Sequence, residues 1–167
     1  MIFLPSEFQW QSSLAKLAVI LGIVLGEALR IWAVGYAGSA TRTRGDEVPE
    51  LVHGGPFRYV RNPLYIANIA MYTLAGFLFG FVSLSFIMLA YSCVQYTFIV
   101  AYEESLLKKT FGSAYGEYQK RVPRWWFRLT PGCPPSSHEF SFSRALRSER
   151  STLILITLVS VIALLKN

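Results

Sequence analysis

Charge is missing from the middle of this chain: between Asn62 and Tyr102 there is no Asp, Glu, Lys or Arg. About 20 apolar residues cross a bilayer, so the run holds two helices folded as a hairpin, with Gly80–Ser85 as the expected turn. Histidine and cysteine are scarce as well. His53, His138, Cys93 and Cys133 are the full set, which excludes a histidine metal cluster, and no zinc spacing occurs. Cys93 falls inside an expected span and Cys133 in a basic tail, and neither position suits a disulfide. There is no nucleophile elbow, no phosphate-cradling glycine loop and no dinucleotide fingerprint. Internal repeats are absent too. The N-terminal stretch has neither a basic flank nor a small-residue cleavage site, so no cleaved signal peptide is expected.

What is present is apolar and arranged in blocks. Hydrophobic residues make up 53% of the 167, and the mean hydropathy is +0.38. The length allows one domain. The net charge of +6 is distributed unevenly, with four basic residues from Gly35 to Asn62 and nine from Glu103 to Arg150. Basic loops stay on the cytoplasmic side, so both of these loops are assigned there. Basic and aromatic residues do not alternate along a soluble scaffold, which argues against a nucleic-acid partner. The fold class is therefore all-α: an integral, multi-pass helical bundle of about four transmembrane helices. The expected spans are Leu14–Ala33, Leu64–Phe79, Leu84–Tyr102 and the short apolar run Thr152–Leu165, with both termini outside the cytoplasm. Ser136–Arg150 reads as a polar stretch, helical at the surface. Glu7 and Trp10 suit the interface ahead of the first span.

The polar stretch Leu51–Tyr65, LVHGGPFRYVRNPLY, lies between these apolar blocks. Pro63 biases Asn62 towards extended backbone and suits the first turn of a helix, so the second span is expected to start there. Arg58, Arg61 and Asn62 are thereby delivered to the mouth of a membrane helix, where an anion would find donors. Glu103 and Glu104 close the third span on the same side. They either answer Lys108 and Lys109 or face a ligand held opposite the arginines. Glu27 and Arg30, one turn apart, are either an ion pair at the boundary or a polar lining inside the bundle. Gly22/Gly26 and Gly76/Gly80 have the spacing of close helix packing. Gly35–Gly38 (GYAG) is expected to end the first helix, and Thr41–Glu50 to form a charged loop. In FGSAYGEYQKRVPRWWFR, Phe111–Arg128, an amphipathic basic segment runs into Trp125, Trp126 and Phe127, which suit the headgroup level.

HGGPFRYVRNPLY, followed across the hairpin by YEESLLKKTFGSAYGEYQKRVPR, resembles the membrane methyltransferases. These include isoprenylcysteine carboxyl methyltransferase and phosphatidylethanolamine N-methyltransferase. The resemblance covers Gly26–Arg124 as the core of a single domain spanning 1–167, with a C-terminal apolar helix at 151–166. It implies S-adenosylmethionine as cofactor, S-adenosylhomocysteine as product, and a cofactor pocket on the cytoplasmic side. On that basis the cofactor is contacted by Gly35, His53, Gly54, Gly55, Phe57, Tyr59, Arg61, Asn62, Pro63, Tyr65, Glu103 and Glu104. Arg61 holds the cofactor carboxylate, with Arg58 the second choice, and the two glutamates take the amino group and ribose. Tyr59 or Tyr65 faces the sulfonium. Asn62 stands where many members carry His, and Arg61 where the phospholipid branch carries an acidic residue. Glu104 is the candidate base for an amine acceptor, and Arg121 and Arg124 the candidate holders of a carboxylate acceptor. The implied reaction is methylation of a lipidic or prenylated acceptor within the membrane lipids, most like isoprenylcysteine carboxyl O-methylation, with phospholipid N-methylation as the alternative. A non-catalytic sterol- or lipid-binding protein on the same scaffold is the reading of another class. A transporter would want a discontinuous helix pair, and none is visible.

Overall fold

The computed structural model describes residues 13–37, 51–134 and 139–165. Among these residues there are four α-helices, α1 (Ser13–Ala37), α2 (Pro63–Leu78), α3 (Val82–Arg121) and α4 (Phe142–Leu165), and a 3-10 turn at Gly55–Arg58 before α2. Of these, α1, α3 and α4 are long and apolar enough to cross a membrane. α2 has 16 residues, about 24 Å at 1.5 Å each, and is the shorter apolar partner in the bundle. Glu7, Trp10, Gly38, the loop Thr41–Glu50, Pro135 and His138 lie outside the described residues.

α1 is the hub. It packs against both α2 and α4, and α2 carries α3 on its other side. α1 and α4 run antiparallel and are tied at both ends. The Ser141 N–H donates to the Gly35 carbonyl at 3.0 Å, and Lys16 Nζ to the Ala163 carbonyl at 3.1 Å. Between these ties Ile23, Met71, Leu78 and Ala163 form the apolar core. Gly22 and Gly26 face Leu74 and Met71 of α2 with no room for a Cβ, and Gly76 seats Ser85 of α3 in the same way. Gly22, Gly26 and Gly76 sit on close-packed helix faces, whereas Gly80 lies beyond the end of α2, in the turn. Outward, α3 exposes Phe86, Ile87, Tyr91, Val94 and Phe98. Water would not tolerate such a stripe, whereas lipid is its ordinary solvent.

Four boundaries differ from the sequence reading. The hairpin turn is tighter and earlier: Gly80 takes φ 78° and donates to the Phe77 carbonyl, so Ser85 already lies within α3. α1 runs past the expected Ala33 to Ala37, which lies within the Gly35–Gly38 stretch expected to end it. α3 does not stop at Tyr102 but runs to Arg121, interrupted only by Gly112 at φ 53°, ψ −122°, a backbone state that favours glycine. The fourth helix is one piece of 24 residues, because the polar turns from Phe142 extend the apolar run without a break. At about 36 Å it is long enough to span.

Candidate functional site

The stretch between α1 and α2 is shaped by its glycines and prolines. Gly54 is extended and Gly55 takes φ 54°, where a Cβ would collide with the Tyr36 ring. Pro56 then opens the 3-10 turn, and the Tyr118 hydroxyl fixes its middle by donating to the Phe57 carbonyl at 2.7 Å. Pro63 starts α2 as expected. Asn62 does not cap that helix with its side chain, and its amide donates instead to the Arg124 carbonyl at 3.1 Å.

A second segment, Val122–Pro134, is laced to the first. The Arg61 N–H donates to Pro123, the Arg128 N–H to Tyr59 and the Gly132 N–H to Arg58, at 2.9, 3.0 and 2.8 Å. Arg58 Nε adds a bond to the Cys133 carbonyl at 2.9 Å. The reversal at Gly112 makes this possible, since it turns α3 back on itself and brings Tyr115, Gln119 and Arg124 beside Glu104.

Glu104 is the centre of the site. It is 6% exposed and meets two guanidinium groups and an amide. Arg61 Nη2 lies at 3.4 Å, Arg124 Nε donates at 3.1 Å, and Gln119 Nε2 donates at 3.3 Å. Arg124 Nη2 engages the second carboxylate oxygen, so the pair is bidentate. That hydrogen bond to Glu104 is the main cause of the raised pKa of the Arg124 guanidinium. Arg61 remains under-used: its Nε and Nη1 are buried and have no hydrogen-bond partner. Two arginines against one carboxylate leave a net positive charge with unpaired N–H groups, the arrangement a carboxylate ligand completes.

Next to it, Tyr65 donates to Glu103 Oε1 at 2.6 Å and stacks on Tyr96 with ring centroids 4.7 Å apart. The Tyr96 hydroxyl accepts from Asn68 at 3.1 Å, and Asn68 in turn accepts from Arg30. Arg30 binds Glu149 of α4 at 2.6 Å and faces Glu27 at 3.3 Å. A polar belt thus crosses all four helices on the membrane side of Glu103. The sequence reading anticipated the Glu27–Arg30 pair but not Asn68, Tyr96 or Glu149. Asn68 had a local signal, as an amide inside the charge-free run; Glu149 had none.

The anticipated site residues divide into three groups. Gly54, Gly55, Phe57, Tyr59, Arg61, Asn62, Pro63, Tyr65, Glu103, Glu104 and Arg124 are gathered at one end of the bundle. His53 stands at the edge of this group, its Nδ1 2.9 Å from the Leu51 carbonyl. Gly35 is apart: the Phe140 ring covers it, and its carbonyl also accepts from Arg144 at 2.9 Å. Arg121 pairs with Glu117 at 3.8 Å on an exposed face and is not among the residues bonded to Glu104. Glu103 accepts from Tyr65, and Glu104 meets Arg61, Arg124 and Gln119; neither forms an ion pair with Lys108 or Lys109 among the described residues. Among the described residues no His, Cys, Asp and Glu group could hold a metal ion.

These features define an α-helical membrane protein with an arginine–glutamate cluster and an aromatic wall at one end. Residues 10–114 match the family described as phospholipid methyltransferase, and the chain belongs to that family of membrane methyltransferases. It is 32% identical over 114 residues to protein-S-isoprenylcysteine O-methyltransferase B of Arabidopsis thaliana, covering 60% of this chain and 53% of that protein. It is 25% identical over 161 residues to the nickel-cobalt-cadmium resistance protein NccN of Alcaligenes xylosoxydans xylosoxydans, covering 95% of this chain and 72% of NccN. The cobalt-zinc-cadmium resistance protein CzcN of Cupriavidus metallidurans is 25% identical over 121 residues, covering 72% of this chain and 53% of CzcN. No solved structure matches.

Proposed function

We propose that this protein transfers a methyl group from S-adenosylmethionine to a lipidic acceptor, leaving S-adenosylhomocysteine, with the cofactor held at the Glu104 end of the bundle. The observation that carries the reading is the pair of buried, unpartnered N–H groups on Arg61. Each can donate to an oxygen of the cofactor's carboxylate while Nη2 stays on Glu104, and Glu104 and Arg124 hold the guanidinium's surroundings in place. Glu103, beside the Tyr65–Tyr96 stack, is the acceptor for the amino group or ribose. Tyr59 and Tyr65 offer aromatic faces to a sulfonium. Gly54 and Gly55 let the backbone approach the adenosine.

When bound, the cofactor supplies an electrophilic methyl group. What the protein must then do is align an acceptor and exclude water. Carboxyl O-methylation of a prenylated acceptor is the reaction these residues favour. A carboxylate needs no general base, and Glu104, the base first considered for an amine, has its oxygens engaged by Arg61, Arg124 and Gln119. Arg124, with Arg121 at the rim, is the candidate holder of that carboxylate. Phospholipid N-methylation is the alternative, favoured by the family's own description. The density of basic residues on the loops flanking the site supports a cytoplasmic position for it.

The test is incubation of the purified protein with methyl-labelled S-adenosylmethionine and either a prenylated cysteine or phosphatidylethanolamine. Base-labile label on the prenylated cysteine supports the O-methyl reading. Stable label on the phospholipid transfers the reaction to nitrogen. No label on either, with no affinity for the cofactor, returns the chain to a non-catalytic lipid-binding scaffold.

A further inference from the structure

The segment Val122–Pro134 takes part in the cluster only through its first residues, and its outer surface has no partner in the bundle. Trp126 is 80% exposed, Phe127 is exposed and Leu129 is completely so. Apolar side chains of this size on a polar loop call for a covering surface. The loop is rigidly presented, since the backbone bonds from Tyr59, Arg58 and Arg61 hold it at three points.

Its depth follows from the fold. Tyr102, 69% exposed on α3, precedes Glu104 by two residues. The reversal at Gly112 brings the chain back until Arg124 reaches Glu104. Trp125, Trp126 and Phe127 therefore sit where the apolar stripe of α3 gives way to charge, the level that indole rings favour in a bilayer. The exposed cations around them are Lys120, Arg121 and Arg128, with Arg58 just beneath. Among the described residues, Glu117 is the only carboxylate paired with any of these four, at 3.8 Å from Arg121. The Arg128 side chain also closes the end of α3 by donating to the Arg121 carbonyl.

We propose that Val122–Pro134 is a docking surface for the anionic phospholipid headgroup layer, with Trp126, Phe127 and Leu129 entering the interface and Lys120, Arg121 and Arg128 pairing with lipid phosphates. The partner is selected by charge: a positive loop with an indole anchor prefers an anionic leaflet over a zwitterionic one. Because the loop is bonded directly to Arg58, Tyr59 and Arg61, lipid contact bears on the wall of the Glu104 cluster. The inference does not depend on methyl transfer.

The test uses the full chain in nanodiscs of phosphatidylcholine and of mixed phosphatidylcholine–phosphatidylglycerol, each with brominated acyl chains as quencher. Trp126 fluorescence is obtained as the difference between the parent and Trp126→Phe. The expected result is bluer, more strongly quenched Trp126 emission in the phosphatidylglycerol discs, reversed by salt. A soluble short-chain phosphatidylglycerol, titrated in detergent, should bind roughly 20- to 30-fold more weakly to Lys120→Gln/Arg128→Gln, two charges contributing about fivefold each. Retained thermal stability of that variant excludes misfolding. Equal quenching in both discs would reduce the surface to an anchor without headgroup choice. Emission that stays red in both, or that turns blue with protein concentration instead of with lipid, would place the loop in water or against a second copy. Any of these three results overturns the proposal.

Discussion

Arg30 on α1 and Glu149 on α4 meet at 2.6 Å inside the bundle, although 119 positions separate them in the chain. Glu27 shares the same guanidinium, so two buried carboxylates stand against one cation. The sharing is unequal, because neither Glu27 oxygen has a hydrogen-bond partner. Neutralising Glu27 and neutralising Glu149 should therefore have opposite signs. Glu27→Gln removes surplus charge and is expected to raise the melting temperature in detergent, whereas Glu149→Gln lowers it. Arg30→Leu leaves both carboxylates unpaired and should cost about 3–5 kcal/mol, the scale for breaking a buried pair. A stabilised Arg30→Leu would contradict this account of the cluster.

The two left-handed glycines at the site should respond differently to a methyl group. At Gly112 a Cβ meets nothing within 4 Å, so Gly112→Ala bears backbone strain alone, about 1–3 kcal/mol. Gly55→Ala adds a collision with the Tyr36 ring and should lose more. Thermal denaturation of both variants checks the order. If Gly112→Ala were neutral, the reversal of α3 would not require glycine.

Cys133 provides a pH-dependent readout of the loop. Its thiol pKa is raised, chiefly by burial, with Arg58 and Arg121 opposing. The folded protein thus holds the proton more tightly than the unfolded chain. The stability this contributes is fully present below the ordinary thiol pKa and is lost as pH rises through the folded value. Maleimide labelling of Cys133 in the native protein should accordingly reach its midpoint at a higher pH than labelling of the denatured chain. Coincident profiles would mean that the loop is open.

Much of this architecture could be read from local signals. Pro63 and the uncharged run from Asn62 to Tyr102 located the start of α2 and the hairpin, because proline stereochemistry and lipid solubility act on adjacent residues. Arg61 could be singled out as a candidate from its place just before Pro63, and Glu104 from its place where the uncharged run ends, although α3 continues through it to Arg121. Their pairing with each other and with Arg124 was not legible, since it depends on a reversal at a single glycine in a continuous helical pattern. The polar belt was legible only in its Glu27–Arg30 turn. Asn68, Tyr96 and Glu149 come from three different helices, and no sequence period links them. Residues 136–150 looked like a separate surface helix because their polarity conceals that Ala145 and Glu149 face α1.

Tyr65 joins belt and site. Tyr65→Phe keeps the stack on Tyr96 and removes the 2.6 Å bond to Glu103. A hydrogen bond to a charged group is worth about 1.5–3 kcal/mol. If Glu103 contacts the cofactor, S-adenosylhomocysteine affinity should fall by up to that amount with little change in melting temperature. A loss of stability without loss of affinity would confine Glu103 to a structural role.

The central claim is that Arg61 receives the cofactor's carboxylate. Calorimetric titration of S-adenosylhomocysteine into the purified parent, Arg58→Lys and Arg61→Lys, in one detergent, tests it most directly. The account predicts binding to the parent, near-parental binding to Arg58→Lys, whose Nε serves the Cys133 carbonyl, and loss of most affinity in Arg61→Lys, since an ammonium cannot reproduce the guanidinium's paired donors. Parental affinity in Arg61→Lys, or a parent that does not bind at all, would contradict it.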